Sequence, residues 1–200
     1  MKKIKLVTAT MMAFALSACL NTFNSDVTTF HQLPAAKGEK VSIVPIDPSK
    51  EKSLEFAAYA AQVGKQLTQL GYIPAKDAKP DLIVGLDYGI NDGREKISTV
   101  PAVNSHLFWN RWYGFGYWHR YDPFFDDKFD NELRAKTVYK TTLNLEIRNP
   151  DGSKLYEGRA ESETRDNSLP VLVPKLVEAI FINFPGESGK TTKVIVKPAE

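Results

Sequence analysis

Residues 139–164 read YKTTLNLEIRNPDGSKLYEGRAESET, and their pattern decides the fold class. Tyr139, Thr141, Leu143, Leu145 and Ile147 alternate with Lys140, Thr142, Asn144, Glu146 and Arg148. A period of two gives a strand one buried and one solvated face. Asn149-Pro150-Asp151-Gly152 follows as a turn, because proline presets φ and glycine accepts the positive φ that closes a hairpin. Residues 154–164 are expected to return antiparallel. Glu157, Glu161 and Glu163 then share one face with Arg159, which reads as a charged, wet strand face in preference to a pair of catalytic carboxylates.

Outward from this hairpin, residues 82–90 alternate again: Leu82, Val84, Leu86, Tyr88 and Ile90 lie on one side. Between 53 and 70 the period changes. Phe56, Ala60, Val63, Leu67 and Leu70 recur at helical spacing, and Gly71 supplies the stop. A second helix is expected after Ser168, its apolar face carrying Val173, Leu176, Val177, Ile180 and Phe184 before Pro185-Gly186. Residues 27–33, 41–46 and 192–196 are β-rich and read as short strands. His31 falls in the first of them and reads as a strand residue. Two amphipathic helices and a half-polar sheet predict an α+β fold, a two-layer sandwich with a mainly antiparallel sheet and both helices packed on one face.

The start of the chain has a different character. Lys2, Lys3 and Lys5 precede an apolar stretch at 6–15, and Leu16-Ser17-Ala18-Cys19 ends it. This is the order of a secretory signal peptide, and the apolar stretch is about half of the roughly 20 residues a membrane-spanning helix needs. Leu-Ser-Ala-Cys resembles the bacterial lipobox, which predicts a leader at 1–18 and lipidation of Cys19. The alternatives are ordinary cleavage after Ala15 and a buried apolar segment. Acyl chains at Cys19 would make the bilayer a lasting partner, since each buried CH₂ contributes about 0.8 kcal/mol. Leu20 stands where aspartate would favour inner-membrane retention in enterobacterial-type sorting. The outer membrane, with the domain facing the periplasm, is therefore expected. Residues 19–26 read as a tether of under roughly 30 Å, and 27–200 as a single domain.

Composition fits a chain that folds in water after export, with 42% hydrophobic and 25% charged residues in a 200-residue sequence. Removal of Lys2, Lys3 and Lys5 with the leader takes the formal charge from +2 to −1, so no nucleic-acid partner is expected. Cys19 is the sole cysteine, which excludes an internal disulfide.

The segment at about 98–130 is unusual because all three tryptophans fall within it. Trp109, Trp112, Tyr113, Tyr117 and Trp118 are interrupted by Gly114 and Gly116, which breaks any regular period and predicts a long loop. Such rings stack on sugars or sit at a membrane interface, and they equally serve as a lid over a sheet edge or groove. His106, His119, Asp122, Asp126 and Asp127 fit no established ligand spacing, so no metal and no cofactor is expected. The chain contains no nucleophile elbow, phosphate loop or zinc-protease motif, and a noncatalytic role is expected.

Several short motifs, in order, resemble the bacterial envelope lipoproteins grouped as domain of unknown function 4136. They are Thr28-Thr29-Phe30, the helix end at 67–72, and Pro80-Asp81-Leu82-Ile83-Val84. The hairpin follows, with 142–147, the turn at Gly152, and Leu155-Tyr156-Glu157-Gly158-Arg159-Ala160; Phe184-Pro185 closes the series. Gly186, where a second proline is common, and the tail to Glu200 depart from the pattern. The resemblance implies an anchored envelope protein and no catalytic residue. An envelope protein, or a glycan of peptidoglycan or lipopolysaccharide held by the aromatic loop, is the expected class of partner.

Overall fold

The computed structural model describes residues 22–76, 78–101 and 131–197. The expected leader, Cys19 and the aromatic residues Trp109, Trp112, Tyr113, Tyr117 and Trp118 lie outside the described residues, as do the histidines and aspartates at 106–127. The described chain runs β1 (Phe23–His31), β2 (Lys40–Pro45), a 3₁₀ turn (Pro48–Lys50), α1 (Leu54–Gln69), β3 (Ile73–Pro74), β4 (Leu82–Ile90), β5 (Arg94–Pro101), β6 (Asn131–Arg148), β7 (Lys154–Thr164), α2 (Leu169–Ile182) and β8 (Lys190–Val196). The contacts divide it into two compact units. One is formed by residues up to Asp92 together with those from Tyr139 onward, the other by 93–138.

The first unit is α+β, a mixed sheet with two helices. Its strand order is β3-β2-β4-β6-β7-β1-β8, with β2 parallel to both β3 and β4 and the other neighbours antiparallel. The 139–164 hairpin forms the centre of this sheet, as its alternation predicts. Gly152 takes φ +92° and its N–H donates to Asn149 O, while Asp151 accepts from Ser153 N–H at 2.8 Å. The hydrogen bonds from Ser153 hold the Asp151 carboxyl below its usual range.

One face of the sheet is dry. Val84, Leu86, Leu143, Leu145, Ile147 and Ala160 are all at most 1% exposed and share one core with Phe56, Val63 and Leu67 of α1 and Leu172, Leu176 and Ile180 of α2. Burying each such Leu, Ile or Val contributes about 1.5 to 3 kcal/mol before side-chain entropy is subtracted. Helix α1 is held at its start by Ser53, whose hydroxyl accepts from Phe56 N–H, and ends at Gly71 with φ +99°. Tyr59 is buried on its inner face, whereas the expected Leu70 is 40% exposed.

Several element boundaries differ from expectation. Strand β1 begins at Phe23, four residues before the expected strand, so 23–26 is sheet and not tether. Phe23 and Ser25 point into the core and pair across to Val196 and Val194. Alternation is masked here because Ser25 is polar; its hydroxyl is satisfied by Glu161 O at 3.0 Å.

The second unit is described by itself. Strand β5 pairs antiparallel with 131–138 of β6, placing Lys96 opposite Lys136 and Ile97 opposite Ala135. Ser98 to Pro101 are therefore strand, where a loop is expected from about 98. Ile97 is 66% exposed, and the described side chains from Arg94 to Ser98 show no alternating buried face by which a strand is read from sequence.

Candidate functional site

The second face of the sheet is solvated, and register arranges its side chains in rows. Phe30 of β1 stands opposite Glu157 of β7, Glu157 opposite Glu146 of β6, and Glu146 opposite Gly85 of β4. The adjacent row runs Thr28, Arg159, Asn144, Asp87. The two rows line a concavity of about 550 Å³, which also takes in Ile46 beyond the end of β2. Phe30 and Ile46, 57% and 42% exposed, stand on either side of its polar floor.

Glu146 is the deepest charge of the site, 8% exposed. It can lie there because Gly85 opposite has no side chain. Arg148 donates to Glu146 at 3.1 Å, and Lys154 reaches it at 3.0 Å. Lys154 also donates to Glu157 at 2.6 Å, so one ammonium bridges two directly opposed carboxylates. The bonds to Glu157 and Glu146 hold the Lys154 ammonium above its usual range.

In the second row, Arg159 Nε donates to Asn144 Oδ1 at 3.0 Å, and its Nη1 lies 3.8 Å from Glu161, which Lys140 also contacts at 2.8 Å. Asp87 pairs with Lys50, whose ammonium donates to Tyr88 O at 2.6 Å and sits 4.4 Å over the Tyr88 ring. Each carboxylate on the floor therefore has a cation beside it. This pairing fixes the groups in place, and apart from Glu146 they remain within reach of solvent.

Glu157, Glu161 and Glu163 do fall on the solvated face of β7 with Arg159, as alternation predicts. His31 is a strand residue at the end of β1, its Nε2 3.1 Å from Gly186 O. Among the described residues no group of three or more histidine, cysteine, aspartate or glutamate side chains is placed to hold a metal, and no helix is long and apolar enough to cross a membrane. The concavity itself is not foreseen from sequence, because its lining comes from four strands whose register no linear spacing reveals.

An uncharacterised protein of Zymomonas mobilis is 25% identical, over 84% of this chain and 79% of that protein. Among solved structures, a PDZ domain protein from Parabacteroides distasonis aligns with a TM-score of 0.48 at 13% identity, over 90% of this chain and 41% of that one. The PelC dodecamer from Paraburkholderia phytofirmans aligns with a TM-score of 0.38 at 11% identity, over 78% of this chain and 95% of that one. The family profile described as Domain of unknown function (DUF4136) matches residues 21–186, and the chain belongs to that family.

Proposed function

We propose that the chain is a lipid-anchored envelope protein with a noncatalytic binding or assembly role at the periplasmic face of the outer membrane. The observation that carries this reading is the closeness of the folded sheet to Cys19. Lysines, apolar stretch and Leu-Ser-Ala-Cys end at Cys19, and β1 begins at Phe23. Three intervening residues span at most about 14 Å between those two Cα atoms, so acylation would hold the sheet against the bilayer. Leu20 favours the outer membrane over the inner. In this reading the first unit is a two-layer sandwich, α1 and α2 covering the dry face and leaving the opposite face free for a partner. The noncatalytic assignment rests on the paired state of the floor carboxylates.

The test is metabolic labelling with palmitate in a diderm bacterial host, followed by separation of inner and outer membranes. Label is expected in the wild-type chain and absent from Cys19→Ser, with the labelled protein in the outer-membrane fraction. An unlabelled wild-type chain, or a chain retaining residues 1–18, would overturn the proposal.

A further inference from the structure

The solvated concavity has a composition that selects a ligand class. Its carboxylates, Asp87, Glu146, Glu157 and Glu161, are matched by Lys50, Arg148, Lys154, Lys140 and Arg159 within the same face. A polyanion or a polycation would find no unpaired countercharge there and would have to displace an existing partner. What remains on offer is polar, with every one of these charges paired and a sum of five cations against four carboxylates, and it presents hydroxyl, amide, carboxylate and guanidinium groups that accept and donate at fixed positions. Beside them stands Phe30, a residue more than half exposed, with Ile46 also lining the concavity.

A ligand that satisfies all of this carries many hydroxyls, no net charge and flat apolar C–H faces. Those are the properties of a pyranose chain. Sugar rings stack on aromatic faces through their C–H surfaces while their hydroxyls bond to side chains such as Asn144, Arg159 and Glu157. The size also suits. About 550 Å³ lies within the roughly 300 to 1,000 Å³ of small-molecule sites and suits a short oligosaccharide.

We propose that the solvated sheet face between Phe30 and Ile46 binds a neutral oligosaccharide, with Phe30 as the stacking platform and Asn144, Arg159 and Glu157 as the hydroxyl partners. The envelope placement argued above would bring such glycans within reach, and the proposal rests on that reading for its biological setting only. Binding itself is a property of the folded unit and is measured without the anchor.

The experiment uses the chain from residue 19 onward with Cys19→Ser, in solution, observed by amide NMR. Chitotriose, cellotriose and maltotriose are the neutral probes; a heparin tetrasaccharide and pentalysine are the charged ones. At least one neutral trisaccharide is expected to shift the amides of Thr28, Asn144 and Arg159. Its affinity is expected to fall about tenfold or more in Phe30→Ala and in Arg159→Ala, and to be kept in Phe30→Trp. Both positions are exposed, so unchanged thermal unfolding of the variants is expected and separates lost binding from lost fold. No shift with any neutral probe at about 10 mM would overturn the proposal, since such a site would be weaker than about 3 kcal/mol. It would also be overturned by binding that survives both alanine variants, which moves the site elsewhere on the chain, or by shifts from the charged probes alone. Because lipidation plays no part in the measurement, its outcome and that of palmitate labelling are read independently.

Discussion

Glu146 lies directly opposite Gly85 across the β4–β6 ladder, and its side chain occupies the space a Cβ at position 85 would need. A Cβ there would sit 2.7 Å from Glu146 Cγ and 2.9 Å from Ile46 Cγ1. Glu146 cannot simply swing aside, because Arg148 and Lys154 hold it. Gly85→Val is expected to destabilise by about 1 to 3 kcal/mol, as overpacking does. Adding Glu146→Ala should recover part of that loss, since the clash and not the backbone is responsible. Urea unfolding of the two single variants and the double variant measures the coupling, and strict additivity would show that the two side chains do not compete for this space.

Lys154 stands between Glu146 and Glu157, which face each other as like charges across β6 and β7. Lys154→Met removes the bridge and leaves that repulsion uncompensated. The ammonium is half exposed, so the loss should stay within about 1 kcal/mol and should shrink as salt is raised. Unfolding midpoints at low and high ionic strength test this. A loss independent of salt would place its origin in packing of the lysine stem.

Tyr156 presents a different case, a hydroxyl buried without a hydrogen-bond partner among the described residues. Its ring lies over Gly158, where a Cβ would sit 2.7 Å from Cε1 and Cζ, so Gly158→Ala is expected to cost about 1 to 3 kcal/mol. Tyr156→Phe breaks no hydrogen bond and should be neutral or stabilising near pH 7. Burial holds the Tyr156 hydroxyl well above its usual range. The folded state thus keeps a proton that the unfolded state loses from about pH 10 upward, so the associated stability is complete below pH 10 and declines above it. Unfolding midpoints from about pH 8 to pH 11 should fall less steeply for Tyr156→Phe than for the wild type.

Much of the first unit is legible in the sequence because its dry face is built from alternating Leu, Ile, Val and Tyr on β4 and β6, and because Gly71 and Gly152 punctuate where a positive φ is needed. What escapes is what register and pairing alone create. Strand β3 is two residues long and contains Pro74, and none of the described side chains of β5, Arg94 to Ser98, is buried. The parallel pairing of β2 with β4 depends on where the α1 crossover lands. The site shares this property: Phe30, Arg159, Asn144 and Asp87 read singly as surface residues of four separate strands. Only the sheet order makes them neighbours.

Helix starts show the same distinction on a smaller scale. Ser53 and Ser168 both precede an apolar helical face, but only Ser53 places its hydroxyl on a helix N–H; Ser168 makes no side-chain cap bond. Ser53→Ala is expected to lower stability by about 1 kcal/mol, while Ser168→Ala should change it by a few tenths at most. Equal losses, measured by urea unfolding, would show that the two caps act alike in solution.

The last prediction concerns the first residues of the fold. If 23–26 were a tether, Phe23→Ala would leave stability untouched. In the structure Phe23 is 6% exposed, pairs with Val196 of β8, and carries the Lys175 ammonium 5.5 Å from its ring centroid. Phe23→Ala is therefore expected to cost about 3 kcal/mol, whereas Thr22→Ala, at an exposed position one residue earlier, should stay within about 0.5 kcal/mol. The contrast between neighbours is the informative measurement, because a general sensitivity of the N-terminal segment would lower both. A loss at Phe23 alone means that the sheet begins there, and a lipid on Cys19 would then pull on β1 itself through three residues.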